Sequence, residues 1–160
     1  YFRWAATISD NTGQLWSKVI DATDVSNGYV DTTWVATSSS TRDLLFWSFI
    51  GTGVDASNPV PDVGSINNAA GSSMTISGIT PTYDGLAVGF WGFDGGDGEP
   101  TVLSAGWTKE AEQDCDPNDN GLLSGFASKE TTSGVATGNL IVNFLLSDGY
   151  GGVIVNLKKA

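Results

Sequence analysis

The fold turns on one stretch near the end of the chain. It runs Leu140-Ile141-Val142-Asn143-Phe144-Leu145-Leu146, then Ser147-Asp148-Gly149-Tyr150-Gly151-Gly152, then Val153-Ile154-Val155-Asn156-Leu157. The first block places Leu140, Val142, Phe144 and Leu146 on one face, the period-two spacing of a β-strand. The middle block combines an aspartate with glycines at 149, 151 and 152, the chemistry of a hairpin turn, where glycine tolerates positive φ. The third block alternates Val153, Val155 and Leu157 and reads as the closing strand. Lys158 and Lys159 after it read as charges that blunt an exposed sheet edge. The apolar runs are of strand length, well short of the roughly 18 residues of a membrane-spanning helix.

Working upstream, Leu86, Val88 and Phe90 oppose Ala87, Gly89 and Trp91, so this strand is apolar on both faces and is expected at the centre of a sheet. Its glycines leave room for a close neighbour. Leu45, Trp47 and Phe49 alternate with Leu44, Phe46 and Ile50 in the same way. Val30, Thr32, Trp34 and Ala36 share one face of another strand, and residues 15–20 form a mixed-face one. Met74 and Ile76 mark a weaker strand, and residues 106–112 and 122–128 two more; residues 53–71 read as turn-rich. No stretch of helical length carries a sustained three-four apolar spacing, so no helix is expected. Glycine supplies 21 of 160 residues, close to twice the usual ~7%. About nine or ten short strands separated by Gly, Ser, Asp and Pro turns describe an all-β, two-sheet antiparallel sandwich of jelly-roll or Greek-key type. Residues 1–160 are expected to form a single domain.

Seven Lys+Arg against eighteen Asp+Glu give a net charge of −11. That balance disfavours nucleic acid and anionic membrane as partners, since cationic surfaces bind both. There is no histidine, which excludes Ser-His-Asp and Cys-His catalysis and histidine-ligated metals. Cys115 is the single cysteine, and Asp114 and Asp116 beside it oppose a reactive thiolate. No enzymatic activity is expected.

Two acidic, glycine-bearing loops are candidates for calcium. Asp94, Asp97 and Glu99 lie in Asp94-Gly95-Gly96-Asp97-Gly98-Glu99-Pro100, and Asp114, Asp116 and Asn118 in Asp114-Cys115-Asp116-Pro117-Asn118-Asp119-Asn120-Gly121. Hard cations take such oxygen ligands. The second loop is not an EF-hand, because its sixth position is Asp119 and its twelfth Gly125. Solvated loop tips are the alternative reading of both, and apart from calcium no cofactor is expected. Glu112, Asp114 and Asp116 alternate as glycosidase carboxylates do, but the segment runs straight into Pro117, which leaves a hydrolase the weakest reading. Trp34, Trp47 and Trp91 belong to apolar strands and are expected in the core. Trp16, Trp107 and Tyr150 are the candidate platforms for stacking on a glycan.

The opening segment Tyr1-Phe2-Arg3-Trp4-Ala5-Ala6-Thr7-Ile8 is apolar and strand-like. Residues 1–10 can serve as a docking arm, with Tyr1, Phe2, Trp4 and Ile8 at an interface with another subunit, where strand addition supplies directional backbone hydrogen bonds. The alternative is a local hairpin with residues 14–20 around Asn11-Thr12-Gly13. Pairing with another chain would favour an assembly protein; closing a sheet within the chain would favour a binding module.

Leu15-Trp16-Ser17-Lys18-Val19, residues 44–49, Gly53-Val54-Asp55-Ala56-Ser57-Asn58-Pro59-Val60, Asp84-Gly85-Leu86-Ala87-Val88, Gly106-Trp107-Thr108, Ala136-Thr137-Gly138-Asn139 and Ser147-Asp148-Gly149-Tyr150 follow one another in a familiar order. From Leu15 onward the chain resembles a β-sandwich domain of bacteriophage structural proteins and secreted bacterial surface proteins. The resemblance implies further strands before Leu15, hence an incomplete N-terminal part, and carries no catalytic residues. It implies a non-enzymatic structural protein of a virion or other extracellular assembly, such as a capsid decoration, fibre or filament component. Its partners would be other protein subunits, in a homo-oligomer or a larger shell. A carbohydrate-binding module or adhesin with a calcium site is the rival reading.

Overall fold

A computed structural model describes residues 2–8, 11–18, 20–28, 53–64, 67–94, 101–102, 104–114 and 122–160. The strands expected at residues 30–36 and 44–50, with Trp34 and Trp47, lie outside these. The elements are β1 (Phe2–Ile8), β2 (Asn11–Ser17), α1 (Ala22–Asn27), β3 (Asp62–Val63), β4 (Asn67–Ile76), β5 (Gly85–Asp94), β6 (Thr101–Val102), β7 (Thr108–Asp114), β8 (Leu122–Thr131) and β9 (Leu140–Lys158). The fold is therefore all-β; among the described residues there is one short helix, and every strand pair is antiparallel.

β1 and β2 form a two-stranded sheet of their own, registered from Phe2↔Ser17 to Ile8↔Asn11. The N-terminal segment thus closes locally, but Asn11, Thr12 and Gly13, expected at the turn, are paired within β2 opposite Ile8, Thr7 and Ala6. β1 runs near β4 and β9 without joining their ladder. The helix was not foreseen, because its 6 residues are too few to show a periodicity. Local chemistry makes it. Asp21 accepts from the Thr23 and Asp24 amides, Asp24 accepts in return from the Asp21 amide, and Gly28 ends the helix at φ 74. Lys18 donates to Asp24, and that hydrogen bond holds the Asp24 carboxyl below the usual carboxylate range.

The main sheet has seven strands in the order β3-β9-β5-β8-β7, with β4 and β6 also paired to β9. β9 organises it. One edge of β9 carries β3 and β4, the other β5 and β6. Here the sequence expectation fails: residues 148–152 make no turn, and β9 is one strand of 19 residues. Gly149, Gly151 and Gly152 are paired on both sides, to β4 and to β5, and none has positive φ. The interruption comes earlier. Ser73 pairs with Asn143 and Gly71 with Asp148, so residues 144–147 of β9 stand against Ser72 alone. On the opposite edge Thr101 pairs with Asn143 and Asp94 with Gly149, and among the described residues none pairs with 144–148 there.

At that break the β4–β9 ribbon folds back over the sheet. Ile76 pairs with Leu140, twelve positions along β9 from Gly152, a separation of about 40 Å in a straight strand. Yet a Cβ on Gly152 would lie 2.4 Å from the Ile76 side chain, and one on Gly89 only 2.3 Å from Leu140. The two layers so formed enclose the larger core, where Met74, Ile76, Leu140, Val142 and Phe144 pack on Ala87, Trp91, Phe93, Trp107, Leu123, Ala127 and Ile154. Phe93 and Phe144 stack at 4.1 Å across it. This layering is sandwich-like, and among the described residues its strands are paired into one seven-stranded sheet.

β5 is central and covered on both faces, as its sequence predicts: Ala87, Trp91 and Phe93 face the larger core, while Val88 joins Val60, Val153 and Val155 in a second cluster, flanked by Phe90, Phe126 and Leu157. A strap over residues 53–61 brings Val60 to that second face. It is tied to the end of β9 by Asp55 N–H to the Lys158 carbonyl (2.9 Å), Lys158 N–H to the Pro59 carbonyl (3.1 Å) and Lys158 Nζ to Asp55 (2.6 Å). Lys158 therefore serves as a latch and not as a repulsive edge charge.

Candidate functional site

Strand order gathers the features singled out in the sequence at one end of the sheet. Asp94, the last residue of β5, pairs with Leu122 on one side and Gly149 on the other; Asp114, the last of β7, pairs with Leu123. β8 alone separates them, so the two acidic loops leave the sheet two strand spacings apart, about 10 Å. Asp148 reaches the same end through its pairing with Gly71, and its exposed carboxylate accepts from the Gly149 amide at 2.7 Å. Asp97, Glu99, Asp116 and Asn118, and with them Cys115, lie outside the described residues. Among the described residues no three acidic or cysteine side chains converge as a metal would require.

The break in the β4–β9 register has a surface consequence at this end. Phe144 turns inward, tilted against Tyr150 at 6.3 Å. Leu145 and Leu146 turn outward, 74% and 44% exposed. In sequence they look like the continuation of a core strand, and Leu146 was expected on the face of Leu140, Val142 and Phe144. Alternation places side chains only while a strand stays paired, and the four-residue break shifts the phase.

The opposite end of the sheet is polar and tied up internally. Thr82, Tyr83, Asp84, Ser133, Lys158, Lys159 and Ala160 line a shallow depression of about 320 Å³. Asp84 accepts from the Ser133 amide (2.8 Å), the Ser133 hydroxyl donates to the Thr82 carbonyl (2.9 Å), and Lys158 sits 4.3 Å above the Tyr83 ring. Lys158 and Ser57 both donate to Asp55, and these hydrogen bonds, Lys158's first, hold its carboxyl far below the usual range; the Lys158 ammonium is raised in return, chiefly by Asp55. A second depression of about 410 Å³ lies between Pro61, Asp62, Val63, Gly64 and Gly78, Ile79, Thr80.

The candidate aromatics fare unequally. Trp107 is only 8% exposed and packs in the larger core over Gly89, so its ring face is not offered to a sugar. Trp91 is in the core, as expected. Tyr150 is half-buried against the same core. Trp16 pairs with Arg3 in the hairpin. Of the proposed arm, Phe2, Trp4 and Ile8 lie in β1 opposite Ser17, Leu15 and Asn11, and Tyr1 lies outside the described residues. Glu112 is ion-paired with Lys109 at 3.0 Å and stands opposite Gly125 on β8, a surface pair and not a buried general acid. No protein-family model, curated protein or solved structure matches the chain.

Proposed function

We propose that the protein is a non-enzymatic structural component of an extracellular assembly, a virion in the setting that the phage resemblance suggests, and that it works by protein–protein contact. The observation that supports this reading is the Leu145–Leu146 pair, displayed on a break in the pairing of β9 with β4. Adjacent exposed leucines held on a fixed bend are a feature of contact surfaces. The N-terminal arm no longer carries the proposal, since β1 pairs with β2 in the same chain. Its finer fold, on this reading, is a jelly-roll or Greek-key sandwich, a reading that the folded-over β4–β9 ribbon and its two-layered core support. Co-sedimentation with purified virions or surface filaments from the producing organism tests the reading. Retention of the wild type and loss of a Leu145→Asp/Leu146→Asp variant supports it; no retention on either kind of particle refutes it.

Two observations favour a second reading, a calcium-assisted glycan-binding module: the hairpin closed within the chain, and the two acidic loops brought to one end of the sheet. Trp16 and Tyr150 remain as its stacking platforms. A glycan array read with and without chelator decides it, because chelator-sensitive binding to one sugar class would select this reading over the first.

A further inference from the structure

Charge is distributed unevenly along the main sheet, and the exposed leucines stand at its acidic end. Leu145 and Leu146 are adjacent, 74% and 44% exposed, and held where β9 leaves its register with β4. Two residues beyond Leu146 comes Asp148, itself exposed; its carboxylate accepts from the Gly149 amide at 2.7 Å, which fixes its orientation. Asp94 stands opposite Gly149 at the end of β5, and Asp114 ends β7 at the same end of the sheet. The lysines of this sheet lie the other way. Lys129 pairs with Ala87 and Lys158 with Gly85, seven and nine positions along β5 from Asp94, or about 23 and 30 Å. Both are held within the chain, Lys129 by the Thr137 carbonyl at 2.7 Å and Lys158 by Asp55 at 2.6 Å.

From this pairing of apolar and acidic groups we propose, resting on the assembly reading above, that the Leu145–Leu146 surface docks on a different protein, one whose apolar pocket is rimmed by lysine or arginine. Each half of that description answers a feature of the surface. Two adjacent leucines leave water most favourably in a pocket that encloses them. An oriented carboxylate beside them is met by an ammonium or guanidinium at the pocket's rim. The chain's net charge of −11 acts in the same sense at longer range, drawing a cationic surface in and turning it toward the acidic end. The same charge opposes a second copy as partner, and Lys129 and Lys158 are already engaged by their own chain.

The probe is a synthetic amphipathic peptide with one leucine face and one lysine face, titrated by fluorescence anisotropy and mapped on the protein by amide NMR shifts. The wild type is expected to bind it with the shifts centred on residues 144–149, more weakly as salt rises. Leu145→Ser/Leu146→Ser, checked for an unchanged urea midpoint, should weaken binding by about tenfold or more. Asp148→Asn keeps the acceptor for the Gly149 amide and removes the charge, so it should weaken binding by about threefold and flatten the salt dependence. Shifts centred elsewhere, variants that bind as the wild type does, or equal binding of peptides with serine for leucine or glutamate for lysine would each overturn the inference. So would self-association of the wild type that the leucine variant abolishes, because the occupant would then be a second copy. Retention on virions or filaments that needs the leucines but ignores salt and Asp148→Asn leaves the assembly reading standing and removes this one alone.

Discussion

Gly152→Ala probes the fold-back of the β4–β9 ribbon, on which the larger core depends. The new methyl would lie 2.4 Å from Ile76 Cδ1, 2.9 Å from Ile76 Cγ1 and 2.7 Å from the Phe90 carbonyl oxygen. Carbon–carbon contacts are optimal near 3.5–4.0 Å, so the first overlap exceeds about 1 Å. Neither neighbour retreats easily. Phe90 belongs to β5, held between β8 and β9, and Ile76 is fully buried. Overpacking of this kind costs about 1–3 kcal/mol, and two immobile partners put this site near the top of the range. Replacing glycine in a strand returns about 0.5–1 kcal/mol, because the alanine chain has less backbone entropy to lose. The net expectation is a loss of about 2 kcal/mol, or about 4–8 °C in Tm for a chain of this length. Urea unfolding measures it, with the m-value unchanged if only packing is altered. Ile76→Val removes the closest atom at a cost of its own of about 0.5–1.5 kcal/mol. The double variant should therefore be more stable than the sum of the two losses by about 1 kcal/mol. Strict additivity, or a stabilising Gly152→Ala, would mean that Ile76 does not lie over Gly152 and that the ribbon does not fold back there.

Four further outcomes follow from the geometry. The folded pKa of Asp55 lies below its unfolded value, so its stabilising effect is present above about pH 4 and is lost as pH falls toward the folded pKa; Asp55→Asn should flatten that acid limb in pH-dependent urea melts. Lys158, raised, contributes in the opposite sense: its share is present below about pH 10 and is lost as pH rises through the folded value, a loss that Lys158→Met should abolish. Trp107 Nε1 is buried with no hydrogen-bond partner among the described residues, so Trp107→Phe removes an unsatisfied donor worth about 1–3 kcal/mol, offsetting the lost ring volume, and stability should change by less than about 1 kcal/mol. Asn156, fully buried, accepts from the Thr131 hydroxyl at 2.8 Å and donates to the Tyr83 carbonyl at 3.1 Å; Asn156→Ala strands both groups and should cost about 1–3 kcal/mol in urea unfolding.

The readable and unreadable parts of the chain separate by range. β5, β8 and the flanks of β9 announce themselves because alternation is local: Val88 and Trp91 point to opposite faces whatever surrounds them. The helix was written in Asp21, Asp24 and Gly28, three capping positions around a segment too short to carry a stripe. For the candidate site, the sequence supplied the two acidic loops and not their adjacency, which follows from β8 running between β5 and β7. Leu145 and Leu146 were misread because exposure at a strand break depends on partners far away in the chain.

By itself, then, the sequence determined that this is an all-β protein, that β5 lies at the centre of its sheet, and that histidine-dependent chemistry is absent. Tertiary structure decided what the glycines at 149, 151 and 152 are for. A glycine marks equally a place where the backbone can turn and a place where a neighbour must come close, and nothing local distinguishes them. Pairing on both sides of β9, with Ile76 and the Phe90 carbonyl occupying the place of a side chain on Gly152, selects the second meaning.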